Sequence, residues 1–246
     1  PGKASTGYMT SLPSLKAPFV FSCFNHTIFD MQVLTHELGH AFAGYMAMRS
    51  QPISDYYSET TDIAEIHSMS MEQFAYPYAQ WFFGDQADKF RFAHLQEALT
   101  FVPFGVAVDE FQHICYADPQ LTPKERTYQW RLLEEKYMPW RKYDNDAFME
   151  RGGYWYHKLH IYLYPFYYIN YTLTTMGAME FKKKYAEDKA AAWQDYLKLC
   201  KTGGSRSYLE TLRYANLADP FEAGSVARAC GYAEDILLRQ LAEQEK

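Results

Sequence analysis

Apolar and polar positions recur along most of the chain with the period of an α-helix. The pattern first predicts a helix over residues 29–48, which Gln51-Pro52 brings to an end. Further helices are predicted at 61–83, 87–101, 106–117, 190–199, 207–215 and 224–241, and one begins at Thr122-Pro123. Residues 17–24 form a short β-rich run bounded by proline and asparagine, which predicts a strand. We therefore expect a mainly α fold with a small β element near the N-terminus.

Domain organisation follows from the spacing of these segments. No internal repeat, low-complexity tract or long linker divides the sequence, so residues 1–246 are interpreted as a single domain. A chain of this length buries a sizeable core, which argues against disorder, collagen-like repeats and disulfide miniproteins.

Charge and aromatic content limit the classes of function that the sequence allows. The 24 basic and 30 acidic residues give a net charge of −6, which argues against binding to a nucleic-acid backbone. Tyrosine, phenylalanine and tryptophan together reach 18%, an unusual share that indicates a cleft lined with rings and phenols.

Cysteine spacing and hydropathy indicate the compartment. The four cysteines, at 23, 115, 200 and 230, contain no Cys-x-x-Cys pair and are expected to be free thiols in a reducing environment. No apolar run of about 18 residues predicts a membrane span, and the first residues lack a signal-peptide core. A cytoplasmic location is expected. The chain begins with Pro1 instead of methionine, as if cut from something longer.

The strongest chemical signal is His36-Glu37-Leu38-Gly39-His40. On a helix, positions i and i+4 share a face, so both imidazoles point toward one ion. Glu37 lies about 100° further round, beside an open coordination position. A catalytic zinc takes three protein ligands and a water, whose proton a nearby carboxylate removes. A chance match is disfavoured because three polar groups on an apolar helix need partners.

A third ligand is required, and the candidates lie on the next predicted helix. Glu65, Ser68 and Glu72 fall at i, i+3 and i+7 on one helical face, whereas His67 falls on the opposite face. Glu65 is therefore preferred to His67 as the ligand. Glu72 is interpreted as a hydrogen-bond partner for a ligand histidine, with a surface carboxylate as the alternative.

An aromatic segment over residues 153–171 offers donors to the oxyanion of a tetrahedral intermediate. His160, Tyr164, Tyr168 and Tyr171 form one stripe if the segment is helical throughout. Alternatively Pro165 begins a helix and leaves Tyr168 and Tyr171 as an i, i+3 pair. On spacing alone, an ordinary aromatic core is the favoured interpretation.

Several segments, in order along nearly the whole chain, resemble the catalytic region of the oligoendopeptidase F branch of the thimet-oligopeptidase family of zinc metallopeptidases. Beside the motif at 36–40, the segments that carry this resemblance are Gly7-Tyr8, 16–19, 65–72, 108–112, 150–153, 159–161, 165–171 and 203–205.

The resemblance implies a zincin-like helical catalytic domain with one zinc ion held by His36, His40 and Glu65. It implies that Glu37 is the general base. His160, Tyr168 and Tyr171 would face the substrate, with Tyr171 polarising the scissile carbonyl. Family members are cytosolic enzymes that cut short peptides inside a deep channel.

One departure from the family is length. Members are about twice as long, with an N-terminal helical region that forms the other wall of the channel. The chain is therefore expected to be the C-terminal catalytic part of a longer architecture, whose missing lobe would be its partner. The main alternative function is a non-catalytic peptide-binding module that retains the zinc site. A weaker one is a zinc hydrolase of non-peptide amides.

Overall fold

The computed structural model describes residues 7–244 and is mainly helical within them, as expected. Its α-helices are α1 (Phe29–Ser50), α2 (Thr61–Phe74), α3 (Ala79–Phe83), α4 (Ala87–Ala117), α5 (Pro123–Tyr137), α6 (Leu159–Leu163), α7 (Ile169–Glu187), α8 (Lys189–Thr202), α9 (Tyr208–Tyr214) and α10 (Ser225–Gln244). Short 3₁₀ turns cover 13–15, 54–56, 76–78, 84–86 and 153–157. None of the helices in this part of the chain is long and apolar enough to cross a lipid bilayer.

The β element is an antiparallel hairpin of β1 (Tyr8–Leu12) and β2 (Ala17–Phe21), with Tyr8 opposite Phe21. The strand predicted at 17–24 is present but ends three residues earlier. The hydrophobic pattern does not predict β1, because its five residues become a strand only by pairing with β2. Both strands lie against α1.

The close approach of α1 and α2 depends on Gly39. A Cβ atom at this position would lie 2.6 Å from Ser68 Cα and 2.8 Å from the His67 carbonyl oxygen. Because glycine has no side chain, the two helix backbones approach to a distance that no other residue allows. This contact brings the His36–His40 face of α1 against α2.

Two helix predictions differ from the structure, and proline is involved in both. The helix expected at 61–83 ends at Phe74 and is followed by a 3₁₀ turn that contains Pro77, which has no N–H to continue the α-helical pattern. In contrast, the helices expected at 87–101 and 106–117 are one helix, α4, which runs through Pro103. Val102 and Phe104 beside this proline are buried, and that burial offsets the lost hydrogen bond.

The described residues form two compact units, one made of residues up to 96 together with those from 173 onward, and one made of 97–172. The core of the first unit includes Ile66, Phe181 and Tyr196. The core of the second includes Phe111 and Trp130. Both helices of the candidate metal centre lie in the first unit.

Candidate metal centre

Three of the predicted ligands converge in the structure. Glu65 Oε2 lies 3.1 Å from His36 Nε2 and 3.5 Å from His40 Nε2. The donor atoms of His36, His40 and Glu65 all lie within 4.8 Å of one another, and the three residues are half-buried. In the described part of the chain, this is the group of histidine, cysteine and acidic side chains that is close enough to hold a metal ion.

Local helix geometry explains this convergence. The rings of His36 and His40 are one turn apart on α1, and their centroids are separated by 4.9 Å. Across the Gly39 contact, Glu65 extends from α2 toward them. Ser68 Oγ lies 2.9 Å from Glu65 Oε2, and this hydrogen bond restrains the carboxylate.

Glu72 lies two turns after Glu65 on the same face of α2. Its Oε1 atom accepts a hydrogen bond from His36 Nδ1 at 2.7 Å, so that the Nε2 atom of the same ring faces Glu65. The side chain is only 7% exposed, which excludes the surface-carboxylate alternative. The contact is the one that a second carboxylate makes with a metal-binding histidine.

The electrostatics of the cluster favour a cation. Burial lowers the pKa of His36, but hydrogen bonds to Glu65 and Glu72 outweigh it and raise the pKa to about 10. Burial opposes ionisation of Glu65, yet its hydrogen bonds to His36 and His40 hold the pKa of this carboxyl well below its usual range. Two ionised carboxylates therefore surround one imidazole, and a divalent cation satisfies the same negative field.

Glu37 follows His36 on α1 but is not one of the converging donors. It is 8% exposed, and its carboxylate accepts a hydrogen bond from the Met9 backbone N–H of β1. Burial raises the pKa of Glu37, against the opposing charges of His36 and His40. A raised carboxyl pKa suits a group that both accepts and returns a proton near neutral pH.

His67, the other candidate ligand, lies away from this cluster. It is fully buried, and its Nδ1 atom is 2.8 Å from Glu59 Oε1. Tyr196 donates a hydrogen bond to its backbone carbonyl at 2.9 Å. As the helix spacing predicts, His67 and Glu65 leave α2 on different faces.

The aromatic candidates form a cluster within the second unit. Ring centroids of His160 and Tyr168 are 5.0 Å apart, those of Tyr168 and Tyr171 are 5.5 Å apart, and those of His160 and Tyr171 are 6.0 Å apart. Burial raises the pKa of Tyr168 to about 12, so this phenol stays protonated. Burial and the charge of Lys158 lower the pKa of His160.

The single helical stripe through these residues is wrong. Helix α6 ends at Leu163, Phe166 adopts a positive φ of 61°, and α7 begins at Ile169. The alternative, in which Pro165 begins a helix, is closer, although that helix begins four residues later, at Ile169. Tyr164 is exposed, and Tyr168 immediately precedes α7.

Two residues that the sequence does not indicate, His94 and Tyr76, extend the hydrogen bonds of Glu72 from outside α1 and α2. His94 Nε2 lies 2.7 Å from Glu72 Oε2, and Tyr76 Oη lies 2.8 Å from His94 Nδ1. The available signal was a lone histidine in the apolar stretch of α4, which does not by itself indicate a partner.

Comparisons with known proteins show what the chain is similar to. The model of peptidase family M3 matches residues 1–230. The chain is 26% identical over 221 residues to an oligoendopeptidase F homolog of Borreliella burgdorferi, covering 86% of this chain and 36% of that protein. An X-ray structure at 3.1 Å of a candidate oligoendopeptidase F is 50% identical, with a TM-score of 0.86. The structure of PZ peptidase A with an inhibitor is 49% identical, with a TM-score of 0.87.

Coverage in these matches is one-sided. The two structures are matched over 96% and 97% of this chain, but over 42% of their own chains. The chain thus spans less than half the length of the relatives it matches, and within that span both sequence and fold are shared. From the family match over most of its length, and from relatives that carry the oligoendopeptidase F name, we conclude that this chain belongs to peptidase family M3, in its oligoendopeptidase F branch.

Proposed function

We propose that this protein is a zinc-dependent metalloendopeptidase that hydrolyses peptide bonds in short oligopeptides. The observation that carries the proposal is the convergence of His36, His40 and Glu65, with the buried carboxyl of Glu37 next to His36 on the same helix. Membership of a peptidase family supports it. The oligopeptide class is taken from the names of the relatives.

The donor set fits zinc. Two imidazole nitrogens and one carboxylate oxygen are a ligand set typical of catalytic zinc sites, and three protein ligands leave a position for water or substrate. His36, His40 and Glu65 would hold the ion. When bound, zinc supplies Lewis acidity, which acidifies water and polarises a carbonyl oxygen.

Glu37 is assigned the proton transfers. Its carboxylate accepts a proton from the attacking water and then gives that proton to the leaving amine. The raised pKa of Glu37 supports this double role, because a carboxyl of ordinary pKa returns a proton less readily at neutral pH. The Met9 N–H restrains the carboxylate while it acts.

Tyr171 is assigned the second donor to the oxyanion, with Tyr168 and His160 assisting. A phenol donates a hydrogen bond to developing negative charge without being ionised itself. The close packing of these three rings and the raised pKa of Tyr168 support the assignment. It otherwise rests on the family resemblance. A cytoplasmic location and one catalytic domain over residues 1–246 belong to the same proposal.

A second candidate is a peptide-binding module that retains the zinc site without turnover. The observation that favours it is coverage, since the chain corresponds to 42% of two solved relatives and to 36% of a third relative. Contacts needed for turnover would then come from the remaining part of such a protein.

The deciding experiment compares wild type and Glu37→Gln on a mixture of short quenched-fluorescent peptides. Loss of a general base should reduce the rate at least about 100-fold, while zinc content stays unchanged. Glu187→Gln, at a side chain that is 63% exposed, serves as the matched control and should cut like wild type. Equal cleavage by wild type and Glu37→Gln would show that Glu37 is wrongly assigned. Zinc binding without cleavage by wild type would support the binding module.

A further inference from the structure

A continuous chain of buried hydrogen bonds leads away from the candidate metal centre. It runs from His36 Nδ1 to Glu72 Oε1 (2.7 Å), from Glu72 Oε2 to His94 Nε2 (2.7 Å), and from His94 Nδ1 to Tyr76 Oη (2.8 Å). We propose that His94 and Tyr76 are positioning residues, which act through Glu72 to hold His36 in the orientation and tautomer that bind the metal. This inference rests on the proposed function.

The chemistry of the groups assigns the donor and the acceptor of each hydrogen bond in this series. Glu72 Oε1 and Oε2 each lie 2.7 Å from a ring nitrogen, His36 Nδ1 and His94 Nε2, and the oxygens of a carboxylate accept hydrogen bonds. His36 Nδ1 and His94 Nε2 must therefore both donate. His94 Nδ1 is left as an acceptor for the Tyr76 hydroxyl. Burial raises the pKa of Tyr76, which keeps this phenol a donor.

Packing restrains the side chains of the hydrogen-bond series that lie beyond His36. Glu72, His94 and Tyr76 are each less than a tenth exposed. The ring of Phe90 stacks on His94 with an interplanar angle of 10° and a centroid distance of 5.6 Å. Gln73 hydrogen bonds to the Tyr76 hydroxyl, so the phenol cannot turn away without losing two partners.

This series of hydrogen bonds determines which ring nitrogen of His36 is available to a metal ion. Because Nδ1 donates its hydrogen to Glu72, a bound cation would take the lone pair of Nε2, the atom that faces Glu65 and His40. Without His94, one oxygen of Glu72 would be buried and unpaired, and the carboxylate would be free to rotate. The position and basicity of the His36 ring would then be less well defined.

A purely structural role is disfavoured by the cost of the arrangement. Burying three polar side chains requires desolvation, and apolar residues of similar volume commonly stabilise a fold equally well. This series of hydrogen bonds ends on a proposed ligand, whereas neither His67 nor Glu59 is among the converging donors of the metal centre. We therefore connect the chain to metal binding.

The test uses four variants of the protein, with zinc affinity measured by chelator competition and the centre examined by the visible spectrum of bound Co²⁺. We expect His94→Leu to weaken zinc binding about 10- to 100-fold and to alter the Co²⁺ spectrum. His94→Gln should restore most of the affinity, because its amide replaces the Nε2–H donor to Glu72. Tyr76→Phe should give a smaller loss.

The matched control is Tyr196→Phe. It removes a hydroxyl that is also buried and hydrogen bonded, but whose acceptor is the His67 carbonyl. We expect this control to keep wild-type affinity and spectrum even where it lowers the melting temperature.

Each outcome decides one of the two proposals. If wild type binds zinc and all four variants bind it equally, with the same Co²⁺ spectrum, the positioning role is overturned while the proposed function stands. If wild type binds neither metal, the proposed function fails, and the inference fails with it. Should His94→Leu not fold, Tyr76→Phe still decides, because unchanged zinc affinity and an unchanged Co²⁺ spectrum in that variant would overturn the role.

Discussion

Helix α2 takes part in two histidine–carboxylate contacts on different faces, and they differ in what surrounds them. On one face, Glu72 lies 2.7 Å from Nδ1 of His36. On the other, Nδ1 of His67 lies 2.8 Å from Glu59. The side chain of His36 is 28% exposed and has further donors nearby, whereas His67 is fully buried.

The comparison shows that a histidine paired with a carboxylate is not by itself a metal site. What distinguishes the first face is that the second ring nitrogen of His36 meets two more donor atoms within 4.8 Å. It is also half-buried, so that an ion and a substrate can reach it. On the second face, His67 is enclosed in the core, where its ring packs edge-on against Tyr196. Convergence and access therefore distinguish the candidate metal centre from the enclosed pair of His67 and Glu59.

The largest effect that would test this difference is loss of a ligand. Glu65→Gln keeps the size of the side chain but replaces an anionic ligand with a neutral amide. We expect zinc affinity to fall by more than about 100-fold, beyond the range typical of residues that only support a ligand. Chelator competition measures it, with Glu59→Gln as the control of the same chemistry. Unchanged affinity in Glu65→Gln would remove Glu65 from the site.

A smaller effect is expected on the second face. Glu59→Gln removes the charge that His67 faces, so the free energy of unfolding should fall by about 1–3 kcal/mol. Zinc affinity should stay at the wild-type value, because Glu59 is not one of the converging donors. Urea unfolding of the metal-free protein measures the stability. A loss of zinc affinity equal to that of Glu65→Gln would show that the two faces are not independent.

The smallest effect is the pH dependence of that stability difference. Although burial opposes ionisation, the charge and hydrogen bond of His67 lower the pKa of Glu59 from 4.5. A carboxyl with a lowered folded-state pKa stabilises the fold above its unfolded-state pKa, and this contribution is lost as the pH falls through the folded-state pKa. The gap between wild type and Glu59→Gln should therefore be largest at neutral pH and narrow below pH 4.5. Paired urea titrations across this range check the sign, and a widening gap in acid would contradict it.

Local periodicity was sufficient to predict the inner part of the candidate site. His40 follows His36 by four positions, and Glu72 follows Glu65 by seven, so helix geometry alone places each pair on one face. The choice of Glu65 over His67 follows from the same rule. Each of these placements on a helix face depends on only one helix at a time.

The outer part could not be predicted, because it depends on packing between distant segments. His94 is 22 residues from Glu72, and nothing in the pattern of α4 fixes which of its faces meets α2. Strand β1 likewise becomes a strand only beside β2. Pro103 and Pro165 have opposite outcomes, a continuous helix and a break, and the difference lies in the burial of their neighbours: Phe104 is buried, whereas Tyr164 is exposed.

Gly39 has a consequence for anyone who would transfer this motif to another protein. In an isolated helix, alanine is about 1 kcal/mol more favourable than glycine, so a designer would replace Gly39 first. Here that methyl group would meet Ser68 Cα at 2.6 Å and force the helices apart. The pentapeptide is therefore not a portable module. The candidate metal centre could be transferred only together with the segment of α2 that packs against α1. A graft of α1 alone would carry the two histidines without Glu65, the proposed third ligand.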